Sequence, residues 1–399
     1  IQKILLPLFY TIQMSVTGTV LGIFFALVLS PFGAANLGFP AVIRRILRIV
    51  IQILRSFPAL ILALTATFLF GLGTFAGTFA ITLYTFAIMT KLTYEDASAA
   101  DVKAYQALRA MGVSKYVAYI HGILPEIIPG FLTNALYLLE TNVRHSSILG
   151  YVGAGGIGLL LNEKISWLEY DKVGTILLML FLTVCVIEYF SRYLAALIRK
   201  ERTIKKEQAR LLILFLAALF LICTFTLSLP DFSRTSPQTL RNMFAGFLQP
   251  DWSFFFSAEK DGLGYLLLET VCIAFIGTVI GAIVSAPLAF LNTKRFVPGP
   301  VSFLFNLVIM VIRSVPFLVY GLIFIRVSGT GAFTGVLTLA VCSIGLLTKR
   351  FTEALDALDP RPYHALLAMG VRPLPAICHS VLPQLKPVFT SIILSLIHI

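Results

Sequence analysis

Ten apolar stretches, each close to the length that a helix needs to cross a lipid bilayer, constrain this chain more than any other feature. A transmembrane helix requires about 20 apolar residues, and only helices and closed barrels can span the hydrocarbon core. The runs are unbroken and lack the alternation of barrel strands, so the sequence predicts an all-α polytopic membrane protein. The predicted spans are 12–30, 46–70, 74–90, 125–143, 172–197, 211–229, 264–291, 303–325, 331–347 and 383–397.

Composition agrees with this class and excludes two others. Of the 399 residues, 58% are hydrophobic and 13% are charged, whereas a soluble globular protein has about 25% charged residues and a disordered chain is poor in hydrophobic residues. The five cysteines stand singly within apolar runs, without the spacing of a disulfide framework or a metal site. They are Cys185, Cys223, Cys272, Cys342 and Cys378.

The basic residues are distributed unequally between the two sets of loops. Nineteen Lys and Arg residues fall in the loops on one side of the predicted spans and seven on the other side. Because cytoplasmic loops are the richer in Lys and Arg, the first set is predicted to be cytoplasmic. The net charge of +12 is thus explained by topology, and we expect no nucleic acid partner.

The chain contains an internal repeat at an offset of 258 residues. Over positions 90–129 the two copies share 17 of 40 residues without a gap, where chance would give about 2 or 3 at average residue usage. The first copy has five predicted spans, and the additional span at 211–229 restores the orientation of the second copy. The two copies are therefore predicted to be parallel repeats, related by an axis along the membrane normal.

A polar segment recurs between the third and fourth spans of each copy, at 91–124 and 349–382. Its shared core, Y-x-A-L-x-A-M-G-V, is a helix-forming run that ends in glycine, a residue suited to a turn or a close approach. We expect a pair of short helices across the cytoplasmic face, turning at Gly112 and Gly370. An ordinary connecting loop is the alternative, but it would not explain why this segment keeps more identity between the copies than the spans do.

The repeated segment resembles the coupling motif of ABC importer permeases, in which E-A-A is followed after three residues by Gly and after nine more by I-x-L-P. Both copies keep the spacing of 13 positions from Gly to Pro. The matching residues are Ala107, Gly112, Leu124 and Pro125 in the first copy, and Ala365, Gly370, Leu382 and Pro383 in the second. The departures are Gln106 and His364 for the Glu, Leu108 and Leu366 for the second Ala, and Gly122 and Ser380 for the Ile.

This resemblance implies a type I ABC importer permease, whose loop docks into a groove of the ATP-hydrolysing subunit and transmits its closure to the spans. Because the Glu is missing, a specific salt bridge from it to that subunit is not expected, whereas the docking helix still is.

A closer match lies on the outward side, where residues 140–158 contain E-T-N-V-R, S-I-L-G and V-G-A-G-G-I-G. This run is similar to that of phosphonate permeases of the PhnE type, and the resemblance covers roughly 11–197 and 270–393. It covers both copies of the repeat and implies a phosphonate or related phosphorus oxyanion as substrate. The glycines predicted to allow a tight return of the chain beside the pore mouth are Gly153, Gly155, Gly156 and Gly158.

The same glycines satisfy the dinucleotide-binding pattern G-x-G-x-x-G, with 147–152 as the preceding strand. That pattern needs a βαβ unit, for which the segment between two spans has no room. The sequence also lacks a G-x-x-x-x-G-K-[ST] motif, a metal-binding cluster and a nucleophile–base pair. We therefore expect no cofactor or metal on this chain and no enzyme activity, with ATP used by a partner subunit.

Two equivalent arginines, Arg55 and Arg313, precede Pro58 and Pro316 at the end of long apolar stretches. An arginine at such depth normally faces protein or water. It either forms part of an anion path or snorkels at the cytoplasmic boundary and packs the two halves.

Glu140 and Arg144 stand four residues apart and can pair on one helical face, with Asn142 between them. Asn142 and Arg144 are predicted to line the translocation path, because Arg suits phosphonate or phosphate oxygens. The alternative is an ion pair that only caps the span.

The leading hypothesis is a fused two-half permease of a bacterial inner-membrane ABC importer that works by alternating access. The implied partners are two copies of an ATP-binding subunit, a periplasmic solute-binding protein and the lipid bilayer. An ABC permease for a different small solute and an ion-coupled secondary transporter are the alternatives; the latter needs ionisable residues at the midplane of several spans, where only Glu188 and Glu269 qualify. A membrane-bound biosynthetic enzyme would need a polar catalytic cluster, which the sequence lacks.

The repeat predicts four parts of the chain. They are a first ABC transmembrane domain at 1–198 without a leading span, a cytoplasmic linker at 199–210, the leading span and outer segment of the second half at 211–262, and a second, truncated ABC transmembrane domain at 263–399. We expect the sequence to be a fragment at both ends. Residues 394–399 resemble a translated sequencing adapter, so native sequence is expected to end near 393.

Overall fold

The computed structural model describes residues 2–199, 206–230, 251–257 and 262–397, together with residues 238, 241, 242, 245, 246 and 249. Within these ranges the chain is helical and contains no strand. Most of the predicted linker, much of the predicted outer segment of the second half, and the last two residues of the suggested adapter lie outside the described residues.

The described helices fall into two series, with a single helix between them. The first series is α1 (Gln2–Gly33), α2 (Ala41–Ser56), α3 (Ala59–Phe70), α4 (Thr74–Ala99), α5 (Lys103–Ala110), α6 (Lys115–Gly122), α7 (Leu124–Leu149), α8 (Ile157–Ser166) and α9 (Tyr170–Ile198). The helix between is α10 (Lys206–Phe225). The second series is α11 (Trp252–Phe255), α12 (Leu263–Asn292), α13 (Gly299–Ser314), α14 (Phe317–Ser328), α15 (Ala332–Ala357), α16 (Arg361–Ala368), α17 (Pro373–Ala376) and α18 (Leu382–Ile397), with a short π-helix (Ile377–Val381) before α18.

Seven of these helices are long and apolar enough to cross a membrane, and ten spans result if each of three bent helix pairs counts as one. This confirms the all-α polytopic class. The predicted spans at 46–70 and 303–325 are not single helices, however, because each bends at a proline, by 94° and 84° respectively. The residue before a proline is driven out of the helical region, and Phe57 and Val315 are accordingly extended.

The chain divides into two compact units, Ile1–Leu248 and Gln249–Ile399. A pair of long helices forms the centre of each unit: α1 packs along α4 in the first, and α12 packs along α15 in the second. The remaining helices of each series pack around that pair. The two units are thus built on the same plan, as the sequence repeat predicts.

Both central pairs approach closely at a G-x-x-x-G pattern that the sequence-based predictions did not include. A Cβ atom at Gly18 would lie 2.8 Å from Cβ of Ile81, and one at Gly277 would lie 2.8 Å from Cβ of Leu339. Small residues let membrane helices pack backbone to backbone. Replacing either glycine would therefore push the two central helices apart.

The helix predicted to lead the second half, α10, packs against α1 in the first unit. The contact is polar at one point, where the buried Gln13 side chain donates through Nε2 to the carbonyl oxygen of Cys223 at 3.0 Å and to the hydroxyl of Thr226 at 2.9 Å. The repeat-based boundary at 211 stays a prediction, while in space this helix is grouped with the first copy.

Candidate functional site

The two repeated segments, residues 91–124 and 349–382, are called here the predicted coupling segments, and the first contains a helical hairpin formed by α5 and α6. Gly112, between the two helices, has a φ of +84°, a conformation that residues with a side chain rarely adopt. The hairpin rests on a buried cluster shared with the end of α1 and α4, in which the Tyr105 hydroxyl donates to the carbonyl oxygen of Leu37 at 2.6 Å. Burial in this cluster raises the pKa of Tyr105. The hairpin is therefore fixed to its own unit on one side only.

Asp101 precedes α5 and accepts a hydrogen bond at 3.0 Å from the backbone N–H of Lys103, the first residue of that helix. This bond satisfies one of the free N–H groups at a helix start, and it holds the pKa of the carboxyl below its usual range. In the second copy the backbone N–H of Arg361 donates to Asp359 at the same distance, 3.0 Å. The sequence-based predictions did not include this pair, although Asp101 and Asp359 are among the residues shared by the copies.

The second coupling segment keeps the first helix and the turn but differs after the turn. Gly370 ends α16 with a φ of +81°. Where the first copy has α6, the second has α17 and the π-helix, which continue into α18. The first copy bends by 69° between α6 and α7, whereas residues 373–394 form one span. The two copies thus share the glycine turn but differ in the helices that follow it.

The solvent-exposed faces of α5 and α16, with the turn that follows each helix, have the same pattern of exposed residues. Met111 and Met369 are each 77% exposed, which is unusual for a large apolar side chain outside a membrane. The exposed residues of this face are Gln106, Ala107, Ala110, Met111 and Gly112 in the first copy, and His364, Ala365, Ala368, Met369 and Gly370 in the second. Both copies therefore offer a small apolar knob beside a glycine turn.

The prolines of the motif lie at the start of the next span in each copy. Pro125 and Pro383 are exposed and occupy the second residue of α7 and of α18. A proline is tolerated in the first turn of a helix, because its missing N–H would have no helical partner there. Leu124 is half-buried and Leu382 is exposed.

Asn142 lies at the centre of a buried polar network that joins three helices. Its side-chain nitrogen donates to the hydroxyls of Thr19 in α1 and Thr85 in α4, both at 2.8 Å, and the residue has no exposed surface. Beside it, the Ser15 hydroxyl bonds Ser146 at 2.9 Å. In this conformation Asn142 packs the helices of its own unit, and its predicted role in a path stays a prediction.

Glu140 and Arg144 form the ion pair that their spacing predicts. The Glu140 side chain is 6% exposed and that of Arg144 is 15% exposed, so the pair is largely withdrawn from water. At the next residue, the ring of His145 meets the ring of Tyr84 edge to face at 5.1 Å. The arginine charge is thus neutralised here by a carboxylate that an anion would have to replace.

Arg55 and Arg313 take equivalent places, each in the last turn of the first helix of a bent pair. A cation is favourable at a helix C-terminus because of the helix dipole. Arg55 is exposed, whereas Arg313 lies against Gly345. The structure therefore places both arginines at a bend near the end of α2 or α13.

The glycine run after α7 forms a turn of the chain, and its predicted place beside a pore mouth stays a prediction. Gly153, Gly155 and Gly156 have positive φ angles, and a Cβ at Gly158 would overlap the carbonyl oxygen of Ser147. Residues 147–152 are helical, which removes the strand that a dinucleotide site would need. Among the described residues, no group of three or more His, Cys, Asp and Glu side chains could hold a metal ion.

The chain is similar to transport proteins along most of its length. It aligns with the phosphate-import permease protein PhnE of Mycolicibacterium smegmatis at 26% identity over 386 residues, 94% of this chain and 71% of the relative. It aligns with the phosphite transport system permease protein PtxC of Stutzerimonas stutzeri at 32% identity over 185 residues, 46% of this chain and 67% of the relative. Among solved structures, an inward-facing MetNI methionine ABC transporter matches 49% of this chain and 95% of its own, with 21% identity and a TM-score of 0.44.

One family model matches the chain twice, over residues 7–204 and again over 277–399. The two matches correspond to the two copies of the repeat and together cover most of the sequence. The model describes the inner membrane component of binding-protein-dependent transport systems. The chain therefore belongs to this family, the inner-membrane permeases of ABC importers, and contains two copies of its domain.

Proposed function

We propose that this chain is the permease subunit of an ATP-driven importer that moves a phosphorus oxyanion across the bacterial inner membrane. The observation that carries the proposal is the matched pair of exposed faces on α5 and α16, each with a methionine beside a left-handed glycine. An exposed apolar knob repeated at equivalent positions favours docking to two copies of one partner.

The partner in this proposal is an ATP-binding subunit present in two copies, one for each face. The sequence contains no phosphate-binding loop of its own, which supports a separate motor. Closure of the motor on ATP would displace α5 and α16 and shift the two halves between inward-open and outward-open states. A periplasmic binding protein would deliver the solute to the opposite face.

The proposed substrate class rests on the relatives, whose names specify phosphate import and phosphite transport, and on the motif that resembles that of phosphonate permeases. Arg144 supports it chemically, since a guanidinium binds tetrahedral oxyanions through paired hydrogen bonds. In the proposed path the anion takes the place of Glu140 on Arg144. Asn142, Arg55 and Arg313 are the other candidates for this path.

The coupling assignment is tested with Gly112→Trp in proteoliposomes that contain the motor subunit and the binding protein. The substitution places a large side chain at a left-handed residue on the docking face, and we expect uptake and stimulation of ATP hydrolysis to be lost while membrane insertion is retained. Gly71→Trp is the matched control, because Gly71 has a φ of +80° and, like Gly112, no atom within 4 Å of its Cβ position, yet belongs to the turn before α4. Normal uptake by Gly112→Trp would refute the coupling role.

The substrate class is tested separately by competition. Uptake of labelled phosphate into the same vesicles is measured against unlabelled methylphosphonate, phosphite and sulfate. We expect one of the phosphorus compounds to compete and sulfate to be inert. ATP-dependent uptake of an unrelated solute would leave the permease assignment intact and reject the substrate class alone.

A further inference from the structure

The helix α2 has two chemically different faces that the rest of its unit leaves open. Its sixteen residues include four arginines and no acidic residue. With 3.6 residues per turn, the arginines share one face with Gln52, and aliphatic side chains occupy the opposite face. The arginines are Arg44, Arg45, Arg48 and Arg55, and the exposed aliphatic residues include Val42, Ile46, Ile49 and Ile53.

The bend between α2 and α3 sets the orientation of α2. The two helices meet at 94°, and α3 packs along α4, with the ring of Phe70 against the rings of Phe75 and Phe79 at 5.1 and 4.9 Å. Since α4 is a membrane span, a helix at right angles to α3 lies near the plane of the membrane. An amphipathic helix with a basic polar face is stable in that position.

The depth of α2 follows from its contact with α4. The guanidinium of Arg48 lies 5.1 Å from the centre of the Tyr94 ring. Tyr94 is 20 residues from Thr74, the start of α4, which is about 30 Å at 1.5 Å per residue and equals the thickness of the hydrocarbon core. A bilayer whose outer boundary is at Thr74 therefore has its inner boundary at Tyr94. That places α2 at the inner interface, on the side of the coupling segments.

Two of the arginines are used to hold α2 in place. Arg44 donates to the carbonyl oxygen of Ala35 at 3.3 Å, and Arg48 donates to that of Gly33 at 2.9 Å. Arg45 is exposed and makes no hydrogen bond or ion pair within the described part of the chain. It stands where the arginine face meets the aliphatic face, the position from which a long basic side chain reaches the headgroups.

No acidic side chain of the described residues pairs with the arginines of α2. Glu95 lines an open pocket together with Arg48, but its carboxylate pairs with Lys91 at 3.5 Å. The positive charge of this face is therefore available to an external anion.

The second copy shows that the fold does not require this charge. The equivalent helix α13 has the same sixteen residues in length and is also followed by a bend, of 84°. In place of Arg44, Arg45 and Arg48 it has Ser302, Phe303 and Asn306, and only the last arginine is kept, as Arg313. The basic face is a feature of the first copy alone, so an explanation from folding does not account for it.

We propose that α2 is an interfacial helix whose arginine face binds the headgroups of acidic phospholipids in the inner leaflet. The aliphatic face lies at the boundary of the acyl chains, and Arg45 makes the contact that selects negative lipid. The attraction of a basic residue to an acidic membrane surface corresponds to about a fivefold preference per residue. Arg45, which makes this contact, is not among the candidates for the solute path or the coupling segments.

The test uses the full chain with its five cysteines replaced by serine and a single fluorescent label attached through the substitution Ile49→Cys. The protein is placed in bilayers of phosphatidylcholine that contain a quencher-labelled lipid, either phosphatidylglycerol or phosphatidylcholine. The ratio of quenching by the two gives the selectivity at α2. A label at position 307, the equivalent residue in α13, is the internal reference.

We expect acidic lipid to be preferred at position 49 and not at position 307. Arg45→Gln should lower the preference about fivefold, Arg45→Lys should keep it, and added salt should weaken it. Arg326→Gln, which removes an exposed arginine from α14, should leave it unchanged. Equal quenching by the two lipids at position 49, or a preference that survives Arg45→Gln, would overturn the proposal. Retention by Arg45→Lys separates loss of charge from loss of fold.

Discussion

The backbones of Gly122 and Tyr105 touch, and this contact closes the first coupling hairpin. A Cβ atom at Gly122 would lie 2.8 Å from the backbone nitrogen of Tyr105 and 2.9 Å from its Cα. Neither of those atoms can turn away as a flexible side chain would. The end of α6 can therefore pack directly against the start of α5 only because residue 122 has no side chain.

Gly122→Ala should separate α5 from α6. Forcing an extra carbon into a packed contact costs about 1–3 kcal/mol, so we expect faster amide hydrogen exchange across residues 103–110 and a lower unfolding midpoint in detergent. Gly130→Ala is the control, since no atom lies within 4 Å of that Cβ position and alanine is the better helix former. Unchanged exchange in Gly122→Ala would show that the hairpin yields without cost.

Asn142→Leu distinguishes packing from a role in the path. The substitution removes two buried hydrogen bonds, and such bonds between membrane helices contribute on average about 0.6 kcal/mol each. We expect a loss of stability of about 1–2 kcal/mol, measured by unfolding in mixed micelles. Thr141→Val, whose hydroxyl bonds only the Tyr137 carbonyl of its own helix, should have little effect. Full stability with lost uptake would assign Asn142 to the path and not to packing.

Arg144→Gln should destabilise the first unit, because it takes the ion-pair partner from the buried Glu140. Removing one member of a buried pair typically costs about 3–5 kcal/mol. The double variant Glu140→Gln with Arg144→Gln should regain much of the thermal stability. If Arg144 also binds the anion, uptake stays absent in the double variant. Recovery of uptake together with stability would assign the pair a structural role alone.

The start of α5 should depend on pH through Asp101. The backbone N–H of Lys103 and then the lysine side chain lower the pKa of this carboxyl. A lowered pKa in the folded state means that the contribution to stability is complete above the unfolded value, about 3.9, and is lost as the pH falls through the folded value. The protection factors of the first turn of α5, which are exchange rates corrected for the intrinsic rate at each pH, should therefore fall on acidification. Asp101→Asn keeps a side-chain oxygen that can accept from the Lys103 N–H but does not titrate, so it should show no such change.

The general plan of the molecule could be predicted from the sequence, because long apolar runs and an internal repeat are visible in the order of the residues alone. Every predicted span corresponds to a helix or a bent helix pair. Hydropathy alone does not distinguish a straight span from two helices at right angles, since both bury a similar number of apolar residues. The prolines at 58 and 316 carried that information, and so did the four arginines of α2, whose periodicity fits an interface better than a bilayer core.

The sequence predicted the residues of the candidate site better than it predicted the contacts that those residues make. The turns at Gly112 and Gly370 follow from the motif, and the Glu140 and Arg144 pair follows from helical spacing. The burial of Asn142 does not, because its partners Thr19 and Thr85 are distant in sequence and nothing in their own segments marks them. Tertiary packing decides which polar residues of a span face water, and a single sequence contains no record of that packing.

The π-helix at Ile377–Val381 lies where the first copy has the end of α6 and its bend into α7. Ser380 occupies the place of Gly122, and the chain runs from Pro373 into the membrane without the 69° bend of the first copy. A pore assembled from two identical chains would have two identical connections. A single chain that holds both copies is free to join the repeated segment to the following span by a bend in one half and by a continuous span in the other.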